Sequence, residues 1–355
     1  MSNLNDSNII ITSNESWGKT WYSKQHYAYE LSQMGHIVLF INPPSKWSIK
    51  NLFSFKTNHT KINDNLTTID YKNNLPQRFF FRVNDFLNAL KIQRHIKSKE
   101  MILWKFDPYR FTSFFSLKKV KTIYHAVDPY MILWQDKIHA KKANLIVSTS
   151  PKYIEYYNRL NTNVIHIPHG ISNEEFQLNQ TKVSSIKEKY GDYVILIGTV
   201  SDLVDIELLQ KIAQENINLV IIGAENHSSK EWDALKKTSN VFYLGEMHAK
   251  NLNNYIAVSK ACLIAYKFNC KKEEASGSPL KALNYLAQSK AIITSLDSEI
   301  EPLKNCGIYR AKNVVEYIDL LKKIMNNELN IDVLKIKNYI NNHQYENLIR
   351  QILNQ

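Results

Sequence analysis

The residues best suited to chemistry in this chain sit in one run near residue 280. A small, flexible loop, Glu274-Ala275-Ser276-Gly277-Ser278, leads into Pro279-Leu280-Lys281-Ala282-Leu283-Asn284-Tyr285-Leu286-Ala287. Proline suits the first helical position, where a missing N–H costs nothing, so the run predicts a helix starting at Pro279. Leu280, Leu283, Leu286 and Ala287 recur at helical spacing as a buried stripe, while Lys281, Asn284, Tyr285 and Gln288 fall on another face. A cation, an amide and a phenol then line up behind free backbone N–H groups at a positive helix end. That arrangement suits a phosphorylated ligand. A helix start with one solvated lysine and nothing bound accounts for the same residues.

A second constellation is His125-Ala126-Val127-Asp128-Pro129, read as lying just past a strand over Lys121–Tyr124. A histidine and an aspartate at a strand end are acid–base candidates, because parallel α/β sheets bind ligands there. Pro129 holds Asp128 in an extended or turn geometry. The alternative is an aspartate that caps the next helix. Gly18-Lys19-Thr20 invites a P-loop reading, but the glycine required five places before the Gly-Lys pair is Ser13.

The elements that must position these residues follow from apolar runs. Strands are expected at 8–13, 36–42, 101–104, 121–124, 144–148, 164–167, 193–198, 218–223, 241–245, 261–266 and 290–294. Helices alternate with them at 23–34 (closed by Gly35), 137–142 and 206–215. Alternation of this kind predicts doubly wound parallel sheets, with ligands at the carboxyl ends of the strands. A chain of 355 residues exceeds what one core usually serves. The expected division is a first α/β domain at 1–170, a linker at 171–186, a second α/β domain at 187–328 and a C-terminal helix at 329–355 that packs back towards the first domain.

Composition narrows the class. The formal charge of +12 calls for an anionic partner such as nucleic acid, an acidic membrane surface or phosphorylated substrates. Residues 45–100 interleave rings with cations, as in Lys46-Trp47, Phe53-Ser54-Phe55-Lys56 and Arg78-Phe79-Phe80-Phe81-Arg82. This pattern suits docking on anionic lipid, and equally core aromatics flanked by solvated charge. RNA-binding signatures are missing, so nucleic acid is not expected. No run of 18 apolar residues occurs and the first eight residues lack a signal-peptide core, which points to a cytoplasmic chain. Three cysteines without CxxC spacing suggest neither disulfides nor structural zinc.

Four segments in order resemble the GT-B glycosyltransferases. Ile167-Pro168-His169-Gly170-Ile171-Ser172 with Phe176 resembles their I-P-N-G-V-D…F junction, and Glu274 to Pro279 their E-G-F-G-x-P loop. Pro279 to Ile293 resembles the S-P-L-K-x-x-E-Y-L-A-x-G-K-P-V-V of bacterial surface-polysaccharide transferases, of the teichuronic-acid and xanthan glucuronosyltransferase type (glycosyltransferase family 4/1-like). Gly198 with Asp205 resembles that subset's G-x-x-x-x-x-x-D. The resemblance implies a GT-B α/β fold, two Rossmann-like doubly wound domains facing a central cleft. It implies sugar transfer from a nucleotide-sugar donor, UDP-sugar favoured, to a hydroxyl of a glycan or lipid-linked acceptor in capsule or lipopolysaccharide synthesis. The enzyme would be peripheral at the inner face of the cell membrane. By the same resemblance, Ser276, Gly277 and Ser278 face the donor pyrophosphate, Lys281 neutralises it and Glu274 lies near the donor sugar. Asn284 stands where many relatives have the glutamate that binds the ribose, and Tyr285 belongs to the same donor segment. Asp128, with His125, lies on the acceptor side as catalytic base, and Trp17, Gly18 and Lys19 lie where the acceptor enters. With no Asp-x-Asp triplet in the chain, neither metal nor cofactor is expected. The alternatives are a nucleotide-sugar 2-epimerase on the same fold and a non-catalytic glycan- or membrane-binding module.

Overall fold

The computed structural model describes residues 8–18, 21–96, 101–112, 120–247, 249–268, 280–296, 303–329 and 331–355. The chain divides into two compact units, residues 1–168 with 345–355, and residues 169–344.

In the first unit the chain runs β1 (Asn8–Thr12), α1 (Ser23–Gln33), β2 (Ile37–Ile41), β3 (Thr57–Lys61), β4 (Leu66–Tyr71), α2 (Gln77–Gln93), β5 (Met101–Lys105), β6 (Val120–Ala126), α3 (Trp134–Lys142), β7 (Leu145–Ser148), α4 (Ile154–Asn158) and β8 (Val164–His166). Its sheet has the order β3-β4-β2-β1-β5-β6-β7-β8. All neighbours are parallel except β3 and β4, so the sheet ends in one antiparallel edge strand. Ile9, Ile10 and Ile11 of β1, Val38, Phe40 and Ile41 of β2, Ile102 and Trp104 of β5 and Ile123 and Tyr124 of β6 are buried, as expected of parallel strands covered on both faces.

The second unit contains α5 (Gln180–Tyr190), β9 (Tyr193–Ile197), α6 (Ile206–Gln214), β10 (Asn218–Ile222), α7 (Lys230–Lys236), β11 (Val241–Tyr243), α8 (Ala249–Val258), β12 (Ala261–Ile264), α9 (Leu280–Ala287), β13 (Ala291–Thr294), β14 (Ile308–Arg310), α10 (Val314–Met325) and α11 (Val333–Asn342). Its strands are all parallel, in the order β11-β10-β9-β12-β13-β14. The segment 171–186, read from sequence as a linker, holds a 3-10 turn (Asn173–Phe176) and the first half of α5, and lies within this unit. Asp205 closes the start of α6, its Oδ1 accepting from the Leu208 N–H (2.9 Å). The chain then returns to the first unit as α12 (Tyr345–Leu353), whose Tyr345, Leu348, Ile349 and Ile352 are buried in that unit's core against α1.

In each sheet the chain steps outward on one side of its first strand and then crosses to the other. The crossing opens crevices at the carboxyl ends of β1/β5 and β9/β12. Among the described residues no helix is long and apolar enough to cross a membrane.

Candidate functional site

In the second unit each of three successive strands runs into a glycine. Gly198, Gly223 and Gly245 follow β9, β10 and the end of β11, and they link laterally. The Gly198 N–H donates to the Ile222 carbonyl, and the Gly223 N–H to that of Gly245, both at 2.9 Å. Backbones are closest at Gly223, where an added Cβ would lie 2.0 Å from the Gly198 carbonyl oxygen. Side chains are therefore excluded where β9 and β10 end, so the floor of this crevice is bare backbone.

Lys281 reaches over that floor from the first turn of α9. Its ammonium donates to the Tyr266 hydroxyl (2.8 Å) and lies 4.6 Å from the centroid of the same ring. It also lies 3.2 Å from where a Cβ on Gly198 would sit. The lysine is thus fixed at the β9/β12 switch point by a phenol just beyond the end of β12. Asn284 lies one turn on, half-buried on the same helix face.

Tyr285 does not join them. It is fully buried, and its hydroxyl accepts from the Ile197 N–H (2.8 Å) while donating to the Leu263 carbonyl (3.3 Å). It braces β9 against β12 instead of facing a ligand. Ala282, Leu283, Tyr285 and Leu286 are buried, while Lys281 and Asn284 are half-buried on another edge of α9. Glu274, Ser276, Gly277 and Ser278 lie outside the described residues.

In the first unit the strand ends gather charge. Arg110, after β5, pairs with Asp107 and donates to the carbonyls of Ser13 and Asn42 (the latter at 3.1 Å) and to the Tyr71 hydroxyl, so one guanidinium ties the ends of β1, β2, β4 and β5. Lys24, buried on α1, pairs with Glu15 and donates to Asn14 Oδ1 (2.7 Å). Burial lowers its pKa to about 8, against the opposing pull of Asp128 and Asp107. Beside these groups lies a cavity of about 380 Å³, lined by Asn14, Pro43, Lys46, Asn73, Tyr109 and Arg110 among others.

Asp128 sits past the end of β6, exposed, its Oδ2 accepting from the Tyr130 hydroxyl (2.9 Å). His125 does not accompany it. The strand runs two residues further than its apolar run indicates, so His125 lies within β6 and turns into the core. Fully buried, it stacks on Phe106 (4.6 Å) and meets Tyr27 edge-on (5.0 Å), and its Nδ1 accepts from the Trp104 indole N–H (3.2 Å). A proton relay to a substrate is closed to it. Trp17 is half-buried against Phe40 and Trp21 (both 5.1 Å), and its N–H donates to Asn42 Oδ1 (2.8 Å). Gly18 is exposed, and its carbonyl accepts from the Trp21 indole (3.1 Å). Lys19 lies outside the described residues.

Sequence reading missed Tyr266, Lys24, Asp107 and Arg110. One signal was present. Both β5 and β6 run into Asp-Pro-Tyr, as Asp107-Pro108-Tyr109 and Asp128-Pro129-Tyr130. The two tyrosine rings meet edge to face at 6.4 Å. Tyr266 could have been found the same way, as the polar residue just after a parallel strand.

No protein-family profile matches the sequence, and comparison with curated proteins finds no match. Solved structures do match. Sucrose-phosphate synthase from Thermosynechococcus elongatus superposes with a TM-score of 0.68 at 12% identity, covering 98% of this chain and 97% of the other. Anabaena HepE in complex with UDP and glucose gives 0.69 at 9% identity, with 98% of each chain covered. WaaG, a glycosyltransferase involved in lipopolysaccharide biosynthesis, gives 0.60 at 12%, covering 97% of this chain and 98% of the other. A UDP-GlcNAc 2-epimerase from Methanocaldococcus jannaschii gives 0.58 at 9%, covering 99% and 100%. The fold is that of the GT-B glycosyltransferases.

Proposed function

We propose that this chain, with its GT-B fold, is a glycosyltransferase. It would move a sugar from a nucleotide-sugar, UDP-sugar favoured, to a hydroxyl of a glycan or lipid-linked acceptor. The observation that carries the reading is Lys281, held by Tyr266 over the glycine floor at the β9/β12 switch point. A diphosphate in that crevice meets an ammonium already oriented, which favours the charge that grows on the leaving nucleotide. HepE, which shares the fold, has been solved with UDP and glucose. In this reading Lys281 and the start of α9 take the part a divalent ion plays elsewhere.

On the acceptor side, Asp128 is the base we assign. It is exposed, beyond the end of β6, and oriented by Tyr130. His125 supports the sheet beneath it. The 380 Å³ cavity beside Arg110 and Tyr109 offers room for part of an acceptor. We place the enzyme in bacterial surface-polysaccharide synthesis, peripheral at the inner face of the cell membrane. The fold also accommodates an epimerase, which needs no acceptor.

Titration calorimetry with UDP, GDP and ADP tests the donor site. UDP binding is expected, with GDP and ADP weaker; equal failure of all three would remove the reading. Incubation with UDP-N-acetylglucosamine alone separates the two enzymes, because only an epimerase turns it into the 2-epimer.

A further inference from the structure

Helix α2 is built inside out. Apart from Ala89 and Ile92, its buried residues are Asn84, Asp85, Asn88 and Lys91. Each has a partner. Asn84 accepts from the Leu75 N–H (3.1 Å) and donates to its carbonyl (2.8 Å). Asp85 accepts from the N–H groups of Phe111 (2.9 Å) and Thr112 (3.0 Å). Asn88 donates to Asn73 Oδ1 (2.9 Å), and Lys91 to the Lys72 carbonyl (2.6 Å). The outer face carries Phe79, 75% exposed, with Phe80, Val83 and Phe86. Val83 and Phe86, three residues apart, share one helical stripe, while Phe79 lies on the turn before a kink at Phe80 (φ −120°, ψ 35°). A surface helix normally buries that stripe; this one buries amides and a lysine and turns its rings to solvent.

Two neighbouring segments extend the face. Phe53 is 87% exposed on a short turn, beside Ile49. The turn is stapled, because the Asn74 amide, three residues before α2, lies 3.0, 3.1 and 3.0 Å from the carbonyls of Asn51, Leu52 and Ser54. On the other side Phe81 packs edge-on against Trp134 (5.7 Å), which brings in Ile132, 92% exposed. Apolar surface held out this way marks an interaction site.

Charge selects the partner. Residues 45–99 contain eleven Lys or Arg and three Asp, eight of the chain's excess of twelve positive charges. Asp85 and, among the cations, Lys91 are buried, Asp64 pairs with Lys61 (2.7 Å) and Asp70 accepts from Asn42 (2.8 Å), so the exposed, unpaired charge of this stretch is still basic. Arg78 and Arg82 flank the rings of α2, with the Arg78 guanidinium 5.8 Å from the Phe79 centroid. Rings that enter the acyl boundary while cations meet headgroups fit an anionic bilayer, which needs no shape-matched pocket.

We propose that this face docks the first unit on an anionic phospholipid membrane, with α2 along the surface and Phe53, Phe79 and Ile132 inserted. The proposal deepens, and for its link to an acceptor rests on, the peripheral placement given above. Lys46 and Gln77, which line the 380 Å³ cavity, adjoin Trp47 and the first rings of α2, so an acceptor carried on a lipid would enter without leaving the surface.

Vesicle flotation of the full chain tests it, with phosphatidylcholine alone and with phosphatidylcholine–phosphatidylglycerol. Binding to the anionic vesicles is expected, weakened by salt. The double variant Phe53→Ser/Phe79→Ser should bind at least about tenfold less. Arg78→Glu/Arg82→Glu should lose the preference for phosphatidylglycerol. Both pairs are solvent-facing, so circular dichroism and UDP binding should match the parent, which separates this test from that of the donor site. Absence of flotation with anionic vesicles, or equal flotation of parent and variants, would overturn the proposal. So would chromatography showing self-association that Phe53→Ser/Phe79→Ser dissolves while vesicle binding persists.

Discussion

Replacing Lys281 by methionine isolates the charge at the donor crevice, because methionine keeps most of the apolar stem. The ammonium is half-buried, 2.8 Å from one phenol, and no described carboxylate forms an ion pair with it. A hydrogen bond from a charged donor to phosphate contributes about 1.5–3 kcal/mol net. Partial exposure and salt screening place this one near the middle, about 2 kcal/mol. That converts to an approximately thirtyfold rise in Kd for UDP. Tyr266→Phe is the companion. It leaves the charge but removes the hydroxyl that orients it, and should weaken UDP by only about threefold to fivefold. Calorimetry on the parent and both variants reads the series, with thermal unfolding to show that each still folds. If Lys281→Met binds UDP within about twofold of the parent, the lysine does not meet a phosphate and the donor assignment falls.

Three other outcomes follow from the structure. Gly223→Ala would drive a methyl to 2.0 Å from the Gly198 carbonyl oxygen, so the ends of β9 and β10 must part; urea unfolding should show a loss of about 3 kcal/mol, and a loss below about 1 kcal/mol would refute the close packing. Asp128→Asn should cut turnover at least about a hundredfold with UDP affinity unchanged, and near-normal turnover would exclude it as the base. Lys105 is buried, donating to the Phe111 carbonyl and to His139 Nδ1 (both 2.6 Å), and burial lowers its pKa from 10.5 to about 7. Between those values the unfolded chain binds the extra proton, so stability should rise with pH above 7, by at most about 1.4 kcal/mol per unit from this group. Lys105→Met should flatten that slope in unfolding measured at about pH 7 and about pH 9, and an unchanged slope would refute it.

How much of this was legible in the sequence depends on which face a residue turns. Runs such as Asn8–Thr12 and Tyr193–Ile197 announce buried parallel strands because every position is apolar. β3 (Thr57–Lys61) escaped notice because an exposed antiparallel edge strand needs no apolar residue; Thr-Asn-His-Thr-Lys has none. β14 is three residues long and carries too little pattern. Helix α2 was hidden by its inversion, since its rings point outward and read as a basic-aromatic patch. At the sites, Lys281 stood out in the sequence as a lone cation at a helix start. Tyr285 was misassigned because it can only be seen to turn inward once β9 and β12 are known to present an N–H and a carbonyl to it. His125 was lost to a two-residue error in where β6 ends.

The return of α12 has a bearing on biosynthesis. Tyr345, Leu348, Ile349 and Ile352 close the core of the first unit, yet a ribosome must make residues 169–344 before they emerge. Until then the nascent first unit exposes the apolar groove meant for α12, including Tyr27 and Leu31 of α1. Its completion therefore waits on synthesis of the whole second unit, and a holding chaperone would find its binding surface there.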